Sequence, residues 1–188
     1  MTMMKKNPIN VAALIASVLM AGVFSASAAT MEVDKSKSRI GFNASATGHT
    51  FAGSLKDYTI SASGDEATRK PTSLELSWNF DDLDSANDDR DAQMLKWLGG
   101  GSQMGSFKFT KVTTKNGADW VEGSLTIHGV TKTIQFPITL RVEGDVVTTT
   151  GKVTINYKDF DLPIIRSMLV MTVDPELTIS FTLVGKAK

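Results

Sequence analysis

The chain has 188 residues, its 20 Lys plus Arg are balanced by 20 Asp plus Glu, and it contains no Cys. That length suits one domain with a sizeable core. Charge neutrality argues against nucleic acid and anionic lipid surfaces as partners, and the lack of Cys excludes disulfides and thiol chemistry.

Lys5 and Lys6 precede an apolar run from Val11 to Phe24, interrupted only by Ser17 and Gly22. Small residues follow at Ala26-Ser27-Ala28-Ala29. This order predicts a secretory signal peptide over residues 1–28, removed to leave residues 29–188. The run is too short to cross a hydrocarbon core of about 30 Å as a helix. The expected product is a soluble, slightly acidic domain without stable membrane insertion. Its expected address is the bacterial periplasm.

Beyond the leader the chain reads as eight strands, at roughly 31–43, 48–61, 72–81, 105–114, 119–128, 131–143, 145–158 and 174–185. The second and third are separated by a loose turn at Ser63-Gly64-Asp65. Leu74, Leu76, Trp78 and Phe80 then alternate with polar residues. A short helix is predicted over Asp88–Leu98, capped by Asn87 or Asp88 and ended by Gly99-Gly100-Gly101. Asn116-Gly117, His128-Gly129 and Glu143-Gly144-Asp145 read as hairpin turns. Between them run the alternations Val121, Gly123, Leu125, Ile127 and Ile134, Phe136, Ile138, Leu140, Val142. Pro137 cannot donate to a ladder and belongs at a bulge or an unpaired position. Phe160 to Val173 is apolar but irregular. Leu177, Ile179, Phe181 and Leu183 form the last alternating face. One apolar face per strand predicts antiparallel sheet. Closure into a barrel removes the exposed edges, and a sandwich is the alternative.

The inward aromatic residues Trp78, Phe80, Phe107, Phe109, Phe136 and Phe181 either fill a core or line a pocket. Met94, Met104, Met168 and Met171 flank the helix and the irregular segment, where their flexibility suits a pocket mouth or ordinary core filling. With His49, His128 and no Cys, a dedicated metal site is not expected. Asp81, Asp82, Asp84, Asp88, Asp89 and Asp91 lack calcium-loop spacing and read as a solvated run with Arg90 inside it. Arg166 stands alone in an apolar stretch and needs a partner. Asp159, Asp161 or a ligand diphosphate would serve. No nucleophile elbow, catalytic triad or phosphate loop is present, so neither catalysis nor a cofactor is expected.

Several motifs resemble the YceI-like family. They are Ser38-Arg39-Ile40-Gly41-Phe42, Gly48-His49-Thr50-Phe51-Ala52-Gly53-Ser54-Leu55, Asp89-Arg90-Asp91, Gly123-Ser124-Leu125-Thr126-Ile127-His128-Gly129-Val130-Thr131-Lys132 and Lys158-Asp159-Phe160. Two positions depart from the family pattern: Lys158 stands where Arg is expected, or that Arg is displaced to Arg166, and Asp161 stands where Gly is expected. The resemblance implies an all-β, eight-stranded antiparallel lipocalin-like β-barrel with one short helix, following the signal peptide. It further implies an apolar interior that binds a polyisoprenoid lipid, an isoprenoid quinone or another long-chain amphiphile. On that reading the tail is expected against Phe42, Phe51, Leu76, Trp78, Phe80, Trp97, Phe107, Phe109, Phe136, Phe160, Ile165, Met168 and Met171. His49 and Arg166 would meet the head group, near the helix and the irregular segment. A solid-cored interaction or stress-response module and an enzyme acting on lipids are the alternative functions. The oligomeric state is left open between monomer and homodimer.

Overall fold

Period-two alternation produces long antiparallel strands in a computed structural model that describes residues 28–100, 103–167 and 171–187. The signal-peptide expectation therefore lies outside the described residues, except for Ala28. The strands are β1 (Ala28–Val33), β2 (Arg39–Ala46), β3 (His49–Leu55), β4 (Thr59–Asp65), β5 (Pro71–Asn79), β6 (Leu83–Asp84), β7 (Met104–Lys115), β8 (Ala118–Ile127), β9 (Val130–Glu143), β10 (Val146–Asn156), β11 (Arg166–Ser167) and β12 (Met171–Ala187). One helix, α1 (Asp88–Trp97), sits between β6 and β7.

Eight staves close into a ring. Three of them are interrupted: β1 continues as β2, β3 as β4, and β5 as β6 across the short 3-10 turn Phe80–Asp82. The rest are β7, β8, β9, β10 and β12. Closure occurs where β12 meets β2 from Val173 to Thr182 and β1 from Gly185 onward. The jog between β1 and β2 is tied to β12 through Ser38. Its buried hydroxyl donates to the Asp34 carbonyl at 2.8 Å and accepts from the Val184 amide at 3.0 Å. A barrel is thus formed, not a sandwich.

Local chemistry sets the turns. Asn116-Gly117 and His128-Gly129 both have two consecutive positive φ values, the geometry of tight hairpin turns. His128 is accordingly a turn residue. The β4–β5 turn lies later than the sequence suggests, because Gly64 remains in β4 at a bulge. The Asp65 carboxylate instead closes the turn by accepting from the Thr68 amide and hydroxyl. Asn87 caps α1 by accepting from the Arg90 amide, and Gly99 and Gly100 follow with positive φ. The β9–β10 ladder ends at Ile138, so Pro137 has no β10 partner. Asp161 adopts φ 57°, which explains why the family pattern favours Gly there. Asp tolerates this conformation better than most residues.

The two ends of the barrel differ. At one lie α1, the β8–β9 turn and the 157–167 segment. There Phe80, Leu98, Tyr157, Phe160 and Leu162 form a buried cluster. The Trp97 indole donates to the Pro163 carbonyl at 2.8 Å and meets the Tyr157 ring edge-on at 5.0 Å. The Tyr157 hydroxyl donates to the Val173 carbonyl at 3.0 Å. The opposite end carries the β4–β5, β7–β8 and β9–β10 turns. Lys70 there bonds Asp119 at 2.7 Å and Thr114 at 2.8 Å.

Five carboxylates are held below the ordinary value of 3.8: Asp34 by Ser36, Asp57 by Lys35, Asp65 by Thr68, Asp84 by the Ala86 amide and Asp119 by Lys70. A depressed folded pKa gives stability that is present above the unfolded value and lost as pH falls through the folded one. Urea midpoints are therefore expected to be flat between about pH 7 and 5 and to drop below about pH 4. Asp119→Asn should lower the midpoint at pH 7 and make the acid-induced drop shallower. An unchanged acid limb would assign the effect to other groups.

Candidate functional site

Alternation directs one side chain in two toward the barrel axis. Whether these side chains meet there is a separate matter, and their burial decides it. On the inward faces, Leu74, Leu76, Trp78, Phe107, Phe109, Leu177, Ile179, Phe181 and Leu183 are only half-buried. Inward-facing side chains remain partly uncovered only when space lies between them. The lumen is indeed a cavity of about 280 Å³. This is near the lower bound of ligand pockets, roughly 300 Å³. It runs from the helix end, at Met94, Trp97 and Leu162, to the opposite end, at Met31, Arg69 and Pro71.

Glycines explain how so many rings leave the axis free. Phe42 faces Gly53 across β2–β3, Trp78 faces Gly105 across β5–β7, and Phe181 faces Gly151 across β10–β12. Phe107 lies diagonally over Gly123. A Cβ added at any of these four glycines would fall on the ring. Each ring therefore lies along the wall, over the backbone of the next strand. Phe136 bridges two of them, with centroids 5.8 Å from Phe107 and 5.7 Å from Phe181.

Of the residues singled out in the sequence, Phe42, Leu76, Trp78, Phe80, Trp97, Phe107, Phe109 and Phe136 line this lumen together. Phe51 lies on the β2–β3 hairpin, where the Arg90 guanidinium covers its ring at 4.8 Å. Phe160 is fully buried in the cluster at the helix end. Half-buried Ile165 donates its amide to the Tyr157 hydroxyl at 3.4 Å. His49 is exposed on β3, with its ring 6.3 Å from Phe51. Met168 lies outside the described residues, as do the side chains of Arg166 and Met171. The backbone of Arg166 pairs with Thr172. Sequence reasoning passed over Leu125, Ile138, Val153, Ile155 and Tyr157, which also line the cavity. Leu125 and Ile138 lie on alternating faces visible in the sequence, and Val153, Ile155 and Tyr157 fall at every second position of the strand read over 145–158. Arg69 lines it too, and no sequence signal marked that turn residue.

Among the described residues no group of His, Cys, Asp and Glu is arranged to hold a metal, and no helix is long and apolar enough to cross a membrane. Ser85 and Asp91 are joined by hydrogen bonds, and Arg90 also bonds Ser85. These bonds fix the loop ahead of α1.

Fold and lumen define a hollow eight-staved antiparallel β-barrel with an apolar interior. Barrels of that size hold either their own side chains or one small ligand. The YceI-like domain matches residues 31–185, and the chain belongs to the YceI-like family. Among solved structures it is similar to BcnA of Burkholderia cenocepacia, with 22% identity over 81% of this chain and 99% of that one, and a TM-score of 0.72. A polyisoprenoid binding domain from Saccharophagus degradans, implicated in plant cell wall breakdown, is 14% identical over 86% of this chain and 100% of that one, with a TM-score of 0.59. The YCEI protein of Campylobacter jejuni is 19% identical over 72% and 84%, also with a TM-score of 0.59. No curated protein matches the sequence.

Proposed function

We propose that this protein is a periplasmic carrier that holds one long-chain amphiphile, a polyisoprenoid lipid or an isoprenoid quinone, with its chain inside the barrel. The observation that supports this most is the hollow lumen, whose inward side chains are apolar yet only half-buried. A water-insoluble chain cannot cross an aqueous compartment alone, and an apolar container removes that barrier. Burial provides about 0.8 kcal/mol per methylene, so cavity shape rather than driving force sets selectivity. The family and the polyisoprenoid-binding neighbour favour the same cargo. They also favour binding over catalysis.

Mass spectrometry of lipid extracted from protein purified natively, without detergent, tests this reading. The expected result is one apolar chain per protein. Protein that is repeatedly empty, with no uptake of added polyprenol, would overturn it.

A further inference from the structure

The lumen is apolar along its length but not at its two ends alike. Away from the helix end, the β4–β5 turn brings Arg69 to the cavity wall beside Ser63 and Ser73. Arg69 is half-buried. A cation beside an apolar wall is stabilised by an anionic partner. Yet among the described residues its side chain has neither ion pair nor hydrogen bond. Neighbouring charges are already engaged: Lys70 with Asp119, and Asp65 with Thr68. Glu66 is exposed. Arg69 also adopts φ 59°, a conformation costly for a long side chain and natural for Gly or Asn. The turn thus holds an unpartnered cation at the lip of a greasy tube.

The geometry points to Arg69 as the contact for an anionic head group, a phosphate or carboxylate, on the amphiphile whose chain fills the lumen. This rests on the carrier reading and adds a polarity to it. The chain runs toward the buried cluster at the helix end, and the charged head stays at the turn end. The forked donors of Arg suit a phosphate or carboxylate. At the end beside α1, the described residues that line the lumen include Phe80, Leu98, Tyr157 and Leu162, none of them charged.

The test compares farnesyl phosphate with farnesol, each displacing N-phenyl-1-naphthylamine from delipidated protein, in the native chain and in Arg69→Asn. Asn suits the left-handed backbone, so the variant keeps its fold, and matching thermal melts check this. The expected result is that Arg69→Asn weakens farnesyl phosphate by about tenfold, the scale of one charge-assisted contact. Farnesol should bind both proteins equally. Arg69→Lys should recover part of the loss. Equal binding of farnesyl phosphate by the native chain and Arg69→Asn overturns the inference while leaving the carrier reading intact. Displacement of farnesyl phosphate by millimolar inorganic phosphate would assign Arg69 to free phosphate instead of a lipid head. Failure of both probes to bind either protein overturns the carrier reading and this inference with it.

Discussion

Tyr157→Ala is expected to lower stability by about 3–5 kcal/mol, the range for deleting a fully enclosed aromatic ring. Trp78→Ala, which removes a larger ring, should cost less than about half of that. The difference comes from what surrounds each ring. Tyr157 is 1% exposed, packs edge-on to Trp97, and bonds Val173 and Ile165 through its hydroxyl. Its loss opens a cavity in the cluster that joins α1, the 157–167 segment and β12. Trp78 rests on Gly105 with its other face toward the lumen. Removing it enlarges a space that already exists and forfeits contacts on one side only, with Gly105 and the edge of the buried cluster. Urea unfolding of both variants checks this. Equal losses would mean that Trp78 sits in a filled core.

The second large effect concerns binding. Ile179 lies near the middle of β12 with its half-buried side chain toward the axis, its neighbours across the sheet being Val153 and Phe42. Ile179→Trp should reduce the affinity for an apolar probe at least about a hundredfold, roughly 2.7 kcal/mol. Stability should stay within about 1 kcal/mol of the native value. In a packed core the same insertion costs typically 1–3 kcal/mol, because neighbours must leave their rotamers. Probe titration and urea unfolding on one sample separate these outcomes. A large loss of stability would place Ile179 against filled space. Undiminished binding would place the ligand elsewhere.

The sequence made the wall of this molecule legible but not its hollowness. Alternation identified the inward faces, and the Asn116-Gly117 and His128-Gly129 pairs located their turns, because strand period and positive φ are local properties. The jogs at Asp34–Ser38 and Phe80–Asp82 were hidden, since they depend on partners such as Val184 that lie far along the chain. Hollowness was hidden for a related reason. Period two states which way a side chain points, not whether it meets another across the axis. That answer lies in cross-strand pairs such as Phe42 with Gly53 and Phe181 with Gly151, where ring and glycine are far apart in sequence. Phe51 shows the converse. Its alternation matches its neighbours, but the β2–β3 hairpin brings it against Arg90 rather than the lumen.

A crystal structure of the protein purified from its native source, without detergent at any step, tests the central claim most directly. The expected result is continuous density for a single chain along the axis, between the rings of Trp78, Phe107 and Phe181. Inward side chains meeting across the axis, with no space between them, would contradict it.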